Sequence, residues 1–306
     1  MRQAAVARSH WRRRLRGAPS PAFAASAVAV AALVGVALAG CATLGYQAAS
    51  EDDGPYQGLY ATSRSNLMSL SEVVERHPDD PQAYNMRGSV FGEAGRSEQA
   101  LADFNRAISL DPNYAQAYAN RALVYRNSNR LDLALADYNK ALTIDPGYAP
   151  AYLGRGIIYR QQGRAMPALN DFNKAIALKP DSAQAYYNRG LLYQNQRQHQ
   201  FAIDDFSTAI GLASQKGEPY LARGLSYLAV KDYKAATGDL DNAVQLEPQN
   251  LQAWMSRGLA YERVGDKEKA AGSYAKALNI NKDYEPAKQA FARVGGKYGQ
   301  TYQTFN

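Results

Sequence analysis

Counted from Pro81, one pattern of aromatic, small and alanine residues returns every 34 residues, at Ala115, Ala149, Ala183, Gly217 and Leu251. A fixed period of this length restricts the chain to stacked copies of one supersecondary unit. The fourth position is aromatic in all six units (Tyr84, Tyr118, Tyr152, Tyr186, Tyr220, Trp254) and the eighth is always small (Gly88, Ala122, Gly156, Gly190, Gly224, Gly258). The eleventh is Phe91 and then Tyr125, Tyr159, Tyr193, Tyr227 and Tyr261. In the second half of each unit, alanines seven residues apart (Ala100 and Ala107 in the first unit, Ala270 and Ala277 in the last) enclose Phe104, Tyr138, Phe172, Phe206, Leu240 or Tyr274.

Spacings of three and four place each set on one helical stripe. A turn such as Ala94-Gly95 or Gln162-Gly163 separates the two stripes, which predicts two antiparallel helices per unit. The Asp-Pro steps at Asp111-Pro112 and Asp145-Pro146 stop the second helix and begin the next unit. One such pair cannot bury its own apolar face, so the units must stack. These residues together resemble the tetratricopeptide repeat over about two thirds of the chain. The resemblance implies an all-α, right-handed α-solenoid with a concave and a convex surface, over residues 81–284.

The flanks read as separate parts. Residues 1–40 carry Arg2, Arg8, Arg12, Arg13, Arg14 and Arg16 and then an apolar run from Ala22 to Gly40, which together mark a secretory signal. Leu38-Ala39-Gly40-Cys41 resembles the lipobox of bacterial lipoproteins. That likeness implies cleavage before Cys41, a diacylglyceryl group on its thiol and acylation of the new amine, which would hold the protein to a membrane permanently. An uncleaved anchor is the alternative for an apolar run of this length, although it gives Leu-Ala-Gly-Cys no role. Cys41 is the sole cysteine, so no disulfide forms within one chain. Residues 41–58, with Glu51, Asp52, Asp53 and Gly54, read as a flexible tether. Residues 59–80 read as an N-terminal capping helix with Leu67, Leu70, Val73 and Val74 on one face, and a swap of this half-unit between chains leaves a homodimer open. Residues 285–306 read as a C-terminal capping helix, with Pro286 in its first turn and Ala287, Ala290, Phe291 and Val294 on one face, followed by a tail.

The signal changes what the charge means. The full chain carries +7, but six arginines and no acids precede Cys41, leaving the mature chain at about +1. Nucleic-acid binding, which needs a basic stripe on the folded domain, loses its support. Catalysis is equally poorly served. The three histidines, His10, His77 and His199, lie in the signal, a helix end and a turn, so no two share a metal or a triad. No metal site, no cofactor and no enzymatic activity are expected.

Two recurring sets remain as candidate surfaces. Position seven is always arginine (Arg87, Arg121, Arg155, Arg189, Arg223, Arg257), and five units carry an aspartate just before the second-helix aromatic (Asp103, Asp137, Asp171, Asp205, Asp239). These read as a ladder of helix-to-helix ion pairs with the arginine stems on the aromatics; a ligand-binding row of guanidinium groups is the alternative. The family resemblance implies a concave groove lined by positions two, five, six, nine, twelve and thirteen. Here those positions supply Gln82, Asn85, Asn120, Arg126, Asn127, Arg160, Gln161, Asn188, Gln194 and Asn195, which can hydrogen-bond an extended peptide. Position nine adds Leu123, Ile157, Leu191, Leu225 and Leu259, either an apolar ladder open to a partner segment or part of the core.

A lipobox, a tether and tetratricopeptide repeats resemble the NlpI-type envelope lipoproteins. That likeness implies a non-catalytic scaffold, lipid-anchored at the periplasmic face of the outer membrane, that recruits peptidoglycan hydrolases, synthases or a protease. Ala42 in place of aspartate after Cys41 favours the outer membrane. An assembly factor, pilotin-like, for a pilus or secretion system is the alternative.

Overall fold

A computed structural model describes residues 64–302, and within them the chain forms fourteen α-helices and no strand. The proposed lipidation site Cys41, the signal and the tether lie outside the described residues. α1 (Arg64–Arg76) is the first helix among the described residues and packs on the first helix pair. Six helix pairs follow: α2 (Pro81–Glu93) with α3 (Ser97–Leu110), α4 (Ala115–Asn127) with α5 (Leu131–Ile144), and α6 (Ala149–Gln161) with α7 (Ala165–Leu178). The remaining three are α8 (Ala183–Asn195) with α9 (His199–Leu212), α10 (Gly217–Ala229) with α11 (Tyr233–Leu246), and α12 (Leu251–Val264) with α13 (Lys267–Ile280). α14 (Glu285–Arg293) closes the array. Each helix packs on the next in sequence, and successive first helices also touch, the arrangement of an α-solenoid.

The turn inside each pair is the same device six times. Its fifteenth position adopts a left-handed conformation: Gly95, Gly163 and Gly265 at φ 72°, 71° and 90°, but Asn129, Arg197 and Lys231 at 57°, 60° and 66°. The next amide reaches back five residues, as from Arg96 N–H to the Phe91 carbonyl (2.8 Å) and from Arg164 to Tyr159 (2.8 Å), which satisfies the end of the first helix. Between pairs, Asp111 and Asp145 accept from the amides of Asn113 (2.9 Å) and Gly147 (2.8 Å), so the aspartates before Pro112 and Pro146 shape the turns that start the next units.

Inside each pair the small residue at position eight makes room for the large second-helix side chain, a ring in every unit but the fifth, where it is Leu240. A Cβ on Gly190 would lie 2.7 Å from Phe206, and one on Gly88 2.8 Å from Phe104. The alanines at positions 20 and 27 are buried throughout, which lets the helices close to backbone distance. Towards the carboxy end, Phe291 packs on Tyr298 and Tyr302 at 5.2 and 5.8 Å between ring centroids, so two tyrosines after α14 lie against its apolar face.

Candidate functional site

The position-seven arginines do not line a groove; they hold the repeats together. Arg87, Arg121, Arg155, Arg189 and Arg223 each bond both oxygens of the aspartate sixteen residues on, with Nε and Nη2 contacts of 2.7–2.8 Å. The third arm of the fork reaches back to the preceding unit: Arg121 Nη1 to Asn105 Oδ1 (2.6 Å), Arg155 to Asn139 (2.7 Å), Arg189 to Asn173 (2.7 Å), and Arg223 to Ser207 Oγ (2.9 Å). One guanidinium thus joins three helices from two repeats, a use that lysine's single ammonium could not replace. Hydrogen bonds to the carboxylates, ahead of the opposing effect of burial, raise these arginines above their ordinary pKa. Each also lies within 6 Å of the position-four and position-eleven rings, as Arg155 does over Tyr152 (5.6 Å) and Tyr159 (5.9 Å). A second arginine also lies over three eleventh-position rings, Arg96 on Phe91, Arg130 on Tyr125 and Arg164 on Tyr159, at 4.7, 4.6 and 4.3 Å.

The polar side chains expected in the groove divide into two groups. Asn85 and Asn188 are buried and tie first helix to first helix, so they are structural before they are available to a partner. Asn120 Nδ2 donates to Asn85 Oδ1 (3.0 Å) and Ser89 Oγ (3.3 Å), and Asn85 Nδ2 donates to Tyr114 Oη (3.2 Å). Arg160 Nη2 donates to Asn188 Oδ1 (3.3 Å), and Gln194 Nε2 donates to the Ala222 carbonyl (2.8 Å) and Ser226 Oγ (2.9 Å). Gln82, Asn127, Gln161 and Asn195 stay exposed, at positions two and thirteen.

The apolar row at position nine is not an open ladder. Ile157 is buried within the core of the third repeat, and Leu191 and Leu225 pack partly buried against the cores of their neighbours. Leu123 and Leu259 are half-buried. None of the five is exposed. Among the described residues no cluster of three or more metal-ligating side chains exists, and no helix is long and apolar enough to cross a membrane.

Sequence reading missed one exchange between repeats. Position eight is glycine everywhere except Ala122, and Tyr138, which shares a buried cluster with Ala122, also fills the space beside Gly154, where a Cβ would collide with its Cζ and Oη. The signal was present as a paired departure: alanine at position eight of the second unit and glycine, alone among the six, at position six of the third.

The repeat geometry is matched by tetratricopeptide repeat models over residues 85–149 and 221–286, 157–196, and 183–215, more than half of the chain together. The chain belongs to the tetratricopeptide repeat family. Solved structures share this tetratricopeptide architecture. The anaphase-promoting complex hetero-tetramer Cut9–Hcn1 matches with a TM-score of 0.66 at 19% identity over 76% of this chain, which spans 46% of the matched one. PilF of Pseudomonas aeruginosa matches at 0.65 and 21% identity, over 74% of this chain and 99% of its own. YrrB, a tetratricopeptide protein described as having an unusual peptide-binding site, matches at 0.53 and 26%, over 61% and 96%. No curated protein matches the chain.

Proposed function

We propose that the protein is a lipid-anchored, non-catalytic scaffold of the bacterial envelope, holding a segment of a partner protein along its concave face. The observation that carries the binding reading is the stripe of open amides, Gln82, Asn127, Gln161 and Asn195, beside the half-buried edges of Leu123, Leu191 and Leu259. Amides bond an extended backbone without regard to its side chains, and apolar edges between them accept alternate side chains. The peptide-binding site described for YrrB is consistent with this use of the fold.

The anchoring part of the reading rests on Leu38-Ala39-Gly40-Cys41 and the arginines before it. By likeness to NlpI-type lipoproteins, the partners would be peptidoglycan enzymes or a protease at the outer membrane. Pull-down of crosslinked partners from the native envelope tests the reading, comparing wild type with Gln161→Glu, Asn195→Glu, two exposed positions where charge does not threaten folding. Recovery of cell-wall enzymes by wild type and their loss in the variant supports the scaffold. Recovery of pilus or secretin subunits would replace it with the assembly-factor reading, and equal recovery by both proteins would move binding off the groove. Metabolic labelling with a fatty acid should mark wild type and fail to mark Cys41→Ala.

A further inference from the structure

Arg126, at the end of α4, differs from the arginines of the ladder. It is half-buried, and among the described residues it makes no ion pair or hydrogen bond. Its surroundings follow from the repeat register. Position twelve of one unit meets position six of the next, as the contacts of Arg160 with Asn188 and of Gln194 with the Ala222 carbonyl demonstrate. The same register sets Arg126 beside Gly154, the one place where position six has no side chain. The ring of Tyr138 fills that space, 2% exposed, and its hydroxyl has no hydrogen-bond partner among the described residues. Burial raises the pKa of this phenol, and the nearby charge of Arg126 pulls against that rise.

The chain also contains a filled version of this arrangement. In the sixth repeat Tyr274, at the same position as Tyr138, donates to Glu262 Oε2 at 2.8 Å. Arg293 bonds both oxygens of the same carboxylate, at 2.7 and 2.9 Å. A carboxylate is therefore held between a second-helix tyrosine and a guanidinium. In the second repeat the tyrosine and the guanidinium are present, and position twelve carries the cation instead of the acid.

We propose that Arg126 and Tyr138 form a receptor for one carboxylate of a bound protein segment, seated against the Tyr138 hydroxyl. This deepens the groove-binding reading and rests on it. A carboxylate offers two acceptor oxygens, one for the phenol O–H and one for the guanidinium, and both donors are already desolvated in part. An aspartate or glutamate side chain and a chain terminus supply the same group, and the test separates them.

Three pools of random octapeptides are immobilised: C-terminally amidated with one central glutamate, amidated with glutamine there, and with glutamine and a free terminal carboxylate. Retention of the purified mature protein is compared with that of Arg126→Gln and Tyr138→Phe. Both variants install residues that equivalent positions already hold, glutamine as at Gln194 and phenylalanine as at Phe172, and unchanged melting temperatures confirm that they fold. The expected result is about tenfold stronger retention on one carboxylate-bearing pool than on the neutral pool, lost in both variants. Preference for the glutamate pool assigns an acidic side chain; preference for the free-terminus pool assigns a chain end. Equal retention on all three pools, reduced by Gln161→Glu, overturns the receptor and leaves the groove reading standing. Absence of retention on any pool overturns both.

Discussion

Arg257 takes its carboxylate from Asp241, on the second helix of the preceding repeat, with Nε to Oδ1 at 2.6 Å, while Ser273 stands where five other repeats carry the aspartate. Ser273 Oγ accepts from Arg257 Nη1 at 2.6 Å, and Tyr261 Oη donates to the other Asp241 oxygen at 2.8 Å. Acid and neutral acceptor have exchanged places across the junction, and the count of charges is preserved. Burial, reinforced by the Asp241 bond, pushes the Tyr261 phenol up to about 12.

Because Arg257 is 1% exposed, Asp241→Asn takes from a buried cation the carboxylate that its Nε bonds. The expected cost is about 3 kcal/mol of unfolding free energy. Adding Ser273→Asp restores the arrangement of the other repeats and should recover a large part of that loss. Urea unfolding of the single and double variants measures both; a double variant no more stable than the single one would contradict the exchange.

The glycine of position eight is set by the ring opposite it. Gly190→Ala places a methyl group 2.7 Å from Phe206, in a core where the ring has nowhere to retreat. Overpacking of this kind costs about 1–3 kcal/mol. Gly95→Ala has open space and fails for a different reason, its φ of 72°. Thermal melts should show a loss in both, and in a double-mutant cycle with Phe206→Ala only the Gly190→Ala loss should shrink, because only that methyl group meets the ring.

Arg197 and Lys231 occupy left-handed turn positions that glycine fills in three other repeats. A side chain there strains the backbone by about 1–2 kcal/mol, part of which glycine returns as unfolded-chain entropy. Arg197→Gly and Lys231→Gly should each raise stability by a few tenths to about 1 kcal/mol. Unchanged or lower denaturation midpoints would show that the long side chains contribute elsewhere.

Hydrogen bonds from Arg293, ahead of opposing burial, hold the Glu262 carboxyl below its ordinary value. A depressed folded pKa contributes stability in full above the unfolded value of about 4.3 and loses it as pH falls through the folded value. Amide exchange over residues 285–302, corrected for intrinsic rate, should therefore accelerate on acidification below about pH 4. Glu262→Gln should show faster exchange of this cap already at neutral pH and no further acid step; identical profiles for the two proteins would remove Glu262 as the cause.

The helix pairs, the caps at Leu70–Val74 and Ala287–Val294, and the Arg87–Asp103 type of ion pair were legible in the sequence because a 34-residue period repeats each contact five or six times. Helix rotation was not. It decides whether Leu191 faces a partner or a neighbouring helix, and a few tens of degrees separate the two. The second reach of each arginine, back to Asn105, Asn139 or Asn173, depends on the distance between repeats, which no spacing within a unit encodes. Departures from the period were readable only in pairs: Ala122 means little until Gly154 is set beside it, and Ser273 until Asp241 is.

The junction chemistry also gives the array a grammar of growth. A copy of the third or fourth repeat inserted among the first five would bring its own aspartate for its arginine and find a polar acceptor behind it. A second copy of the sixth repeat placed after the first would meet Ala275 at the position of Asp241 and its own serine at the position of the missing acid, so its buried arginine would lose the carboxylate that Arg257 has. Any repeat of the first five can thus be copied with its charges balanced, whereas the sixth cannot follow itself, so its side chains make it a closing unit and not a repeating one.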